Sequence, residues 1–274
     1  MTEAQTTAAV PESNLAVLRG GGRVWAIGAI HGDAARLRVL HGRLKSQLVP
    51  GDQLVYLGGY LGCGSAVVAA IDEILLFRRA FIAQPGVAVE DVVFLRGAQE
   101  EIWQKLLQLQ FAVGPADVLR WMLDRGVGPT IAAYGGSADE GLLAAEQGVL
   151  ALTRWTGGLR QAIRQFDGHT TLLACLKHAA YTDDHQLLFV HAGIDPARPL
   201  GAQRDHFWWG LPAFEALETA YLPFRLVVRG YLPAGGNGAP GRPVATLDGG
   251  AGRGGPLIAA CFGPDGDILQ VIEG

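Results

Sequence analysis

The sequence predicts an α/β fold in which helices cover a sheet. Short apolar runs bounded by glycine recur along the chain, and segments with helical spacing separate the first of them. Strand and helix alternate over the first hundred residues, which indicates βαβ units, and strands return in the last third, which adds an α+β character. In such folds the reactive groups lie in loops just beyond the carboxyl ends of strands.

Seven apolar runs predict strands. Each is rich in aliphatic or aromatic residues and is bounded by turn-forming or polar residues. In chain order they are VWAIGAI at 24–30, DQLVYLGG at 52–59, DVVFLRG at 91–97, QLLFVHAG at 186–193, RLVVRGY at 225–231, PLIAACF at 256–262 and ILQVIE at 268–273. The glycine-rich stretch at 234–256 predicts hairpins or loops.

Three segments predict amphipathic helices, because apolar residues return every three or four positions. They are AARLRVLHGRLKSQL at 34–48, SAVVAAIDEILLFRRAFI at 65–82 and QEEIWQKLLQLQF at 99–111.

The chain is expected to form one domain over residues 21–274. Residues 114–178 are mainly helical and indicate an insertion that carries the loop GVGPTIAAYGG. Residues 1–20 predict a disordered arm, since this polar sequence cannot bury enough apolar surface to order itself.

Composition excludes several classes of protein. The net charge is −4 and the 22 Lys and Arg form no basic run, so nucleic acid is not an expected partner. Cys63, Cys175 and Cys261 form no C-x-x-C pair and are interpreted as reduced thiols. The start of the chain lacks the features of a signal peptide, and no apolar run is long enough to span a bilayer. We therefore expect a cytoplasmic protein.

Six short segments follow one another in an informative order: IGAIHGD, LGGYLGCGS, LRGAQEE, GVGPTIAAYGG, FVHAGIDPARPLGAQ and VVRGYLP. Together they resemble the motifs of the calcineurin-like metallophosphoesterase superfamily, in particular its bacterial serine/threonine phosphatase and diadenosine tetraphosphatase branch, from about residue 23 to the C-terminus. The resemblance implies a four-layer αββα sandwich with the active site at loops on one edge. It also implies two divalent cations, such as Mn, Fe or Zn, that generate a hydroxide and clamp the phosphate.

The first two motifs have lost their carboxylates. Where the family has G-D-x-H-G, Ala29 replaces the metal-binding aspartate and His31 is retained. Where it has G-D-x-x-D-R-G, Gly59 replaces the bridging aspartate, Gly62 replaces the second aspartate, and Cys63 replaces the phosphate-binding arginine.

The later motifs are also altered. In place of G-N-H-E, Ala98 replaces the asparagine ligand, and Gln99 replaces the histidine that protonates the leaving group. Glutamine has no proton to give near neutral pH. The histidine of H-A-G is retained as His191, Tyr231 replaces a further histidine ligand, and Gly210 replaces a further arginine.

These replacements predict a pseudophosphatase, with no catalytic residue and no cofactor, that acts as a protein-binding subunit, scaffold or regulator. A cluster of carboxylates is tolerated only while cations neutralise it, so small neutral residues suit a site without metal. The framework of glycines and apolar strands is kept while the chemistry is removed.

Two other functions remain open. His31 and His191 could hold one metal ion, with Asp33 or Glu100 as a further ligand, in a weakly active hydrolase of a phosphoprotein or a dinucleoside polyphosphate. Alternatively, the pocket could sense a nucleotide or phosphate without turnover.

Three arginines flank the altered motifs and are candidates for binding the anion of such a sensor: Arg96, Arg229 and Arg253. The alternative is that these arginines are solvated at the surface or form ion pairs at strand ends. Cys63 is either a small residue that fills the former pocket or a nucleophile.

The aromatic run 207–209 and the apolar stretch 214–224 are interpreted as either an exposed docking patch or core. The remaining histidines are expected at the surface or at helix ends: His41, His169, His178, His185 and His206.

Overall fold

Two five-stranded sheets lie at the centre of the computed structural model, which describes residues 14–233 and 243–274. The strands are β1 (Leu15–Leu18), β2 (Val24–Ile27), β3 (Gln53–Tyr56), β4 (Val92–Phe94), β5 (Ala179–Thr182), β6 (Leu187–Val190), β7 (Leu226–Arg229), β8 (Val244–Thr246), β9 (Ile258–Phe262) and β10 (Ile268–Glu273). The first sheet has the order β1-β5-β6-β7-β8 and the second β10-β9-β2-β3-β4. All seven predicted strands are present.

The helices of the described residues are α1 (Ala34–Lys45), α2 (Val67–Ile82), α3 (Ala98–Leu106), α4 (Pro115–Asp124), α5 (Gly128–Ala133), α6 (Ala138–Gln147), α7 (Val149–Ile163), α8 (His169–Ala174), α9 (His206–Trp209) and α10 (Pro212–Glu215). The three predicted amphipathic segments form α1, α2 and α3. Helices α4 to α8 occupy the stretch in which the sequence predicts a helical insertion. None of the helices in the described ranges has the length and apolar character needed to cross a membrane.

The side chains of β2 alternate between the two faces of its sheet, and this alternation shows what packs on each face. Val24 and Ala26 belong to the apolar core between the two sheets, whereas Trp25 and Ile27 belong to the core under the helices. The first sheet buries its other face against α9 and α10. The molecule is therefore the four-layer αββα sandwich that the resemblance implies.

The N-terminal boundary of the fold differs from the prediction. Residues 15–18 fall in the predicted disordered arm, but they form β1, which pairs in parallel with β5 from Leu15 opposite Ala179 to Leu18 opposite Thr182. The strand orders because β5 offers its edge to it. The rest of the predicted arm, residues 1–13, lies outside the described residues.

Two histidines that were expected at the surface or at helix ends are buried, although His169 does lie at a helix end, as the first residue of α8. His41, on α1, lies between Glu73 on α2, at 2.7 Å from its Nδ1, and the hydroxyl of Tyr56, at 2.9 Å from its Nε2. His169 is fully buried, and its Nδ1 lies 2.9 Å from the hydroxyl of Tyr134. Both rings connect helices to each other or to a strand. The sequence alone did not predict these contacts.

Candidate functional site

The loops that follow β2, β3, β6 and β7 meet at one edge of the sandwich. The N–H of Ala29 donates to Gly230 over 2.9 Å, the N–H of His31 to Gly59 over 2.6 Å, and the N–H of Gly230 to His191 over 3.0 Å. Because parallel strands end on the same side, distant motifs come together here. This network joins five positions at which the resemblance expects metal ligands or their neighbours.

The two retained histidines are buried and neutral. His31 is 2% exposed and His191 is fully buried. The Nδ1 of His191 donates to the carbonyl of Leu57 over 2.8 Å, so its Nε2 keeps a free lone pair. That Nε2 and both ring nitrogens of His31 have no partner among the described residues. Burial lowers the pKa of each histidine to about 4.

The ring of Tyr231 contacts both histidines. It stacks on His191 with 5.2 Å between centroids and an interplanar angle of 11°, and it meets His31 edge-on at 5.5 Å. Tyr231 therefore places a phenol ring where the resemblance expects a third imidazole.

The position that should supply the bridging carboxylate has no room for a side chain. A Cβ on Gly59 would lie 2.9 Å from the Cβ of Ala29, 3.2 Å from Cε1 of His191 and 3.4 Å from Cε1 of His31. Gly59 also has φ +72°, which disfavours residues other than glycine.

Glu100, a residue considered as a metal ligand, is fully engaged by the backbone. Its two carboxylate oxygens accept four N–H groups, those of Gly59, Tyr60, Leu61 and Gly97, over 2.8 to 3.0 Å. Burial raises its pKa, and these hydrogen bonds oppose the rise. Glu100 is the third residue of α3, after the N-cap Gly97. A glutamate at this position is a sequence sign of helix capping.

Asp33, the other carboxylate considered, caps α1. Its Oδ1 accepts the N–H of Arg36 over 3.1 Å, and its Oδ2 pairs with the guanidinium of the same residue. The carboxylates of Asp33 and Glu100 both have structural partners.

This donor set does not fit a centre of two divalent cations. The ligand positions offer two neutral imidazoles and a phenol, and no carboxylate that could bridge or offset two dipositive charges. Among residues 14–233 and 243–274, no three His, Cys, Asp or Glu side chains converge in a way that could hold a metal ion.

Gln99, at the proton-donor position, is tied to the helical segment. Its Nε2 donates to the carbonyl of Arg125 over 2.6 Å, and its Oε1 is buried without a partner. Ala98 begins α3 beside it. The amide therefore connects the start of α3 to the end of α4.

Carboxylates pair with two of the three arginines considered for anion binding. Arg96 pairs with Glu101 at 3.1 Å. Arg229 is 6% exposed and makes a two-point contact with Glu215, with 2.8 Å between Nη2 and Oε2. Arg253 has no carboxylate within 4 Å among the described residues. Its Nη2 instead donates to the hydroxyl of Tyr231 over 3.5 Å and to Sγ of Cys63 over 3.9 Å.

Most of the aromatic stretch considered as a docking patch belongs to the core. Phe207 is fully buried, Trp208 is 5% exposed and Phe214 is 1% exposed, and they pack against the first sheet. Gly210 closes α9 with φ +65°. These rings anchor the loop after β6, and the indole of Trp209, half-buried, lies at a cavity wall.

Cys63 lies in a strained turn at the same edge. Its φ is +53°, and its Sγ lies 3.9 Å from Nη2 of Arg253. The thiol is partly exposed.

A cavity of about 910 Å³ opens beside these residues. Its wall joins the altered motifs to α3 and α4. Several residues of the cavity wall belong to no motif and could not be found from the sequence. They are Ile102, Lys105, Trp121, Asp124 and Arg125.

Comparison with solved structures finds chains of similar architecture. A candidate diadenosine tetraphosphatase is 21% identical and covers 95% of this chain and 98% of its own, with a TM-score of 0.56. A protein serine/threonine phosphatase from Saccharomyces cerevisiae, with similarity to a human phosphatase, is 14% identical and covers 93% and 79%, with a TM-score of 0.46. A cold-active protein-tyrosine phosphatase of a Shewanella species is 15% identical and covers 97% and 85%, with a TM-score of 0.49.

No protein-family model and no curated protein matches the sequence. The TM-score of 0.56 over nearly the full length of both chains supports a common fold. This protein therefore shares its fold with that candidate diadenosine tetraphosphatase.

Proposed function

We propose that this protein is a pseudophosphatase, which acts by binding another molecule and does not hydrolyse phosphoesters. One observation carries the proposal. The nitrogen donors at the ligand positions are the two neutral imidazoles of His31 and His191, and these rings, with the Cβ of Ala29, leave no room at Gly59 for a bridging carboxylate.

The missing groups are those that the reaction needs. A two-metal hydrolase uses carboxylates to hold both ions and an acid to protonate the leaving group. Here Gly59 has no carboxylate, and Gln99 has no titratable proton. Restoring hydrolysis would thus require several replacements at once.

A hydrolysis assay tests the proposal. The purified chain is incubated with p-nitrophenyl phosphate, with a phosphopeptide and with diadenosine tetraphosphate, each with added Mn²⁺ or Zn²⁺. We expect no rate above that of the double variant His31→Ala/His191→Ala. A metal-dependent rate that the double variant loses would overturn the proposal and support the one-metal hydrolase.

The finer role, a protein-binding subunit or regulator, is supported by exposed apolar side chains on the helical part of the chain. Phe111 is 80% exposed and Val113 is 98% exposed, and Val149 and Leu150 at the start of α7 are each 66% exposed. Contiguous exposed apolar patches are typical of interaction surfaces, and the turn 109–111, which ends in Phe111, contacts α7.

Affinity capture from a lysate tests this role. We expect one protein that wild type retains in a fixed ratio and that Phe111→Ser/Val113→Ser loses. Leu269→Ser, an exposed apolar residue on β10, serves as the matched control. Equal recovery with the double variant would rule out this surface.

A further inference from the structure

We infer that a second cavity, of about 560 Å³ between β1 and β4, binds an extended acidic segment of another protein, which adds a strand to the open edge of β1. None of the altered ligand positions is among the described residues that line this cavity. The inference therefore goes beyond the proposed function, which concerns the loop edge and the surface at Phe111.

The cavity lies between the edges of the two sheets. Strands β1 and β4 are each the last strand of a sheet. Arg19, just after β1, pairs with Asp91, just before β4, over 2.5 Å. At the other end, the N–H groups of residues 177 and 178 donate to the carbonyls of Phe94 and Asn14, each over 2.8 Å. The two strands therefore run in opposite directions along the cavity, and contacts join them at both ends.

Both strands meet the cavity edge-on. Three consecutive residues of each strand line it, 15–17 of β1 and 92–94 of β4. Neighbouring side chains of a strand point to opposite faces of the sheet, so three consecutive residues share one cavity where the edge of the strand borders it. The wall of the cavity thus includes backbone as well as side chains.

The backbone of β1 has hydrogen-bonding groups to offer on this side. The carbonyls of Asn14 and Leu18 accept N–H groups of residues 178 and 183, which flank β5. Because the direction of hydrogen bonding alternates along a strand, Leu15 and Val17 direct their N–H and C=O groups away from β5. In the described part of the chain, neither residue has a hydrogen bond outside its sheet. An open edge of this kind is a template for a further strand.

The charges around the cavity favour an acidic segment. Arg78, Arg79 and Lys177 line it, against one carboxylate, that of Glu90. Arg79 also pairs with the exposed Asp167 at 3.3 Å, whereas Arg78 has no carboxylate within 4 Å among the described residues. A segment with carboxylates beside its paired residues would complement this excess of positive charge.

Apolar side chains on the cavity wall set a second requirement. Leu75 on α2 and Leu172 on α8 line the cavity beside Phe94. Side chains of an added strand point alternately to opposite faces, so every second residue can reach these apolar groups. We therefore expect a partner segment in which apolar residues alternate with polar ones and acidic residues are included.

Selection from random peptides tests the inference. Peptides of about ten residues, which are longer than β1, are displayed on phage and selected on the full-length protein. We expect the selected sequences to be enriched in Asp and Glu and to have alternating apolar residues. Selected sequences with no excess of acidic residues would overturn the inference.

Two variants locate the selected peptide, with fluorescence polarisation as the readout of affinity. Arg78→Glu should weaken binding about tenfold, because it reverses a charge beside the peptide. Val17→Pro should weaken it about fivefold, because proline removes an N–H from the open edge and no bond to β5. Proline is tolerated at such a position of an edge strand, and circular dichroism checks the fold.

Each variant has a matched control. Arg154→Glu changes an exposed arginine on α7 in the same way. Val271→Pro places proline on another edge strand, β10, where Gly274 and Leu257 exchange two hydrogen bonds and Val271 therefore faces away from β9. Both controls should bind the peptide as wild type does. Equal affinity of wild type, Arg78→Glu and Val17→Pro would place the peptide elsewhere and overturn the inference.

Hydrogen exchange shows whether the peptide pairs as a strand. Bound peptide should slow the exchange of backbone amides in residues 15–18 and leave residues 268–273 unchanged, because only an added strand accepts hydrogen bonds from the edge of β1. Unchanged exchange in residues 15–18 would overturn strand pairing. If wild type selects no peptide, the inference fails, and a dimer that Val17→Pro dissociates would then show that a second copy of the chain occupies this edge.

Discussion

The geometry at the loop edge depends on single residues, several of them small or neutral. Gly59 keeps the two histidines close, since any Cβ there would meet three side chains. Tyr231 covers both imidazoles. Glu100 accepts hydrogen bonds from the backbone of the loop after β3 and so holds that loop in shape.

A carboxylate restored at Gly59 should destabilise the protein. Gly59→Asp combines a positive φ with contacts at 2.9 to 3.4 Å, and overpacking costs roughly 1 to 3 kcal/mol. Gly135→Asp is the matched control, because Gly135 has φ +74° and nothing within 4 Å of its Cβ position. Urea denaturation should show the larger loss of unfolding free energy for Gly59→Asp. Equal losses would mean that the space at position 59 is open.

Removal of the carboxylate at position 100 should also be costly. Glu100→Ala leaves four buried N–H groups unpaired, and we expect a loss of about 3 to 5 kcal/mol in the free energy of unfolding. Glu100→Gln keeps one carbonyl oxygen and should lose less. The exposed Glu218→Ala should stay within about 0.5 kcal/mol of wild type. A small loss for Glu100→Ala would show that water replaces the carboxylate.

At the scale of elements, α2 is tied to α1 and to β3 through a buried imidazole. His41 contacts Glu73 and Tyr56 and stacks on Phe77 with 3.9 Å between ring centroids. Burial lowers the pKa of His41 to about 4, and Glu73 opposes the shift. The helical layer is thus stabilised by a group that resists protonation.

This lowered pKa predicts a dependence of stability on pH. The unfolded histidine binds a proton below about pH 6.5 and the folded one below about pH 4, so stability is complete above pH 6.5 and is lost as the pH falls towards 4. Between pH 7 and pH 5 the contribution of His41 is a loss of roughly 2 kcal/mol.

Thermal unfolding across this range checks the prediction. His41→Gln should lower the melting temperature at pH 7 and flatten its fall towards pH 5. His185→Asn, at an exposed residue with φ +57°, should keep the slope of wild type. An unchanged slope in His41→Gln would show that His41 titrates alike in both states.

At the scale of the whole molecule, the contact between the two sheets unites distant parts of the chain. Phe189 on β6 and Phe262 on β9 are buried and meet edge-on across the sheets at 6.0 Å. Because both sheets contribute residues to this core, one sheet cannot unfold without exposing the core face of the other.

Truncation of this contact should unfold the sandwich as one unit. Phe189→Ala should lower the free energy of unfolding by about 3 to 5 kcal/mol. Phe111→Ala, at a residue that is 80% exposed, should cost less than about 1 kcal/mol. Circular dichroism and tryptophan fluorescence should give coincident transitions for both variants, whereas separate transitions would indicate sheets that unfold independently.

The strands with strong apolar patterns, such as 24–27 and 187–190, could be predicted because their consecutive residues are all apolar and all buried. Strand β1 could not, since Val17 is 55% exposed and the strand depends on the edge of β5. At the site, the identities of Ala29 and Gln99 were readable from motifs. The hydrogen-bond partners of Glu100 could not be predicted, because its four N–H donors lie mainly in the loop after β3.

The layers of the fold and the lack of carboxylates at positions 29, 59 and 62 can be read from the residues alone, because the period of apolar residues selects strand or helix and a side chain carries its own chemistry. The partners of the side chains at the loop edge follow from the fold. The fold pairs Arg229 with Glu215, directs Nη2 of Arg253 to Cys63 and Tyr231, and brings Trp121 and Arg125 of the helical segment to the same cavity. Such contacts join residues far apart in the chain, and the packing of the whole molecule determines which charges find partners.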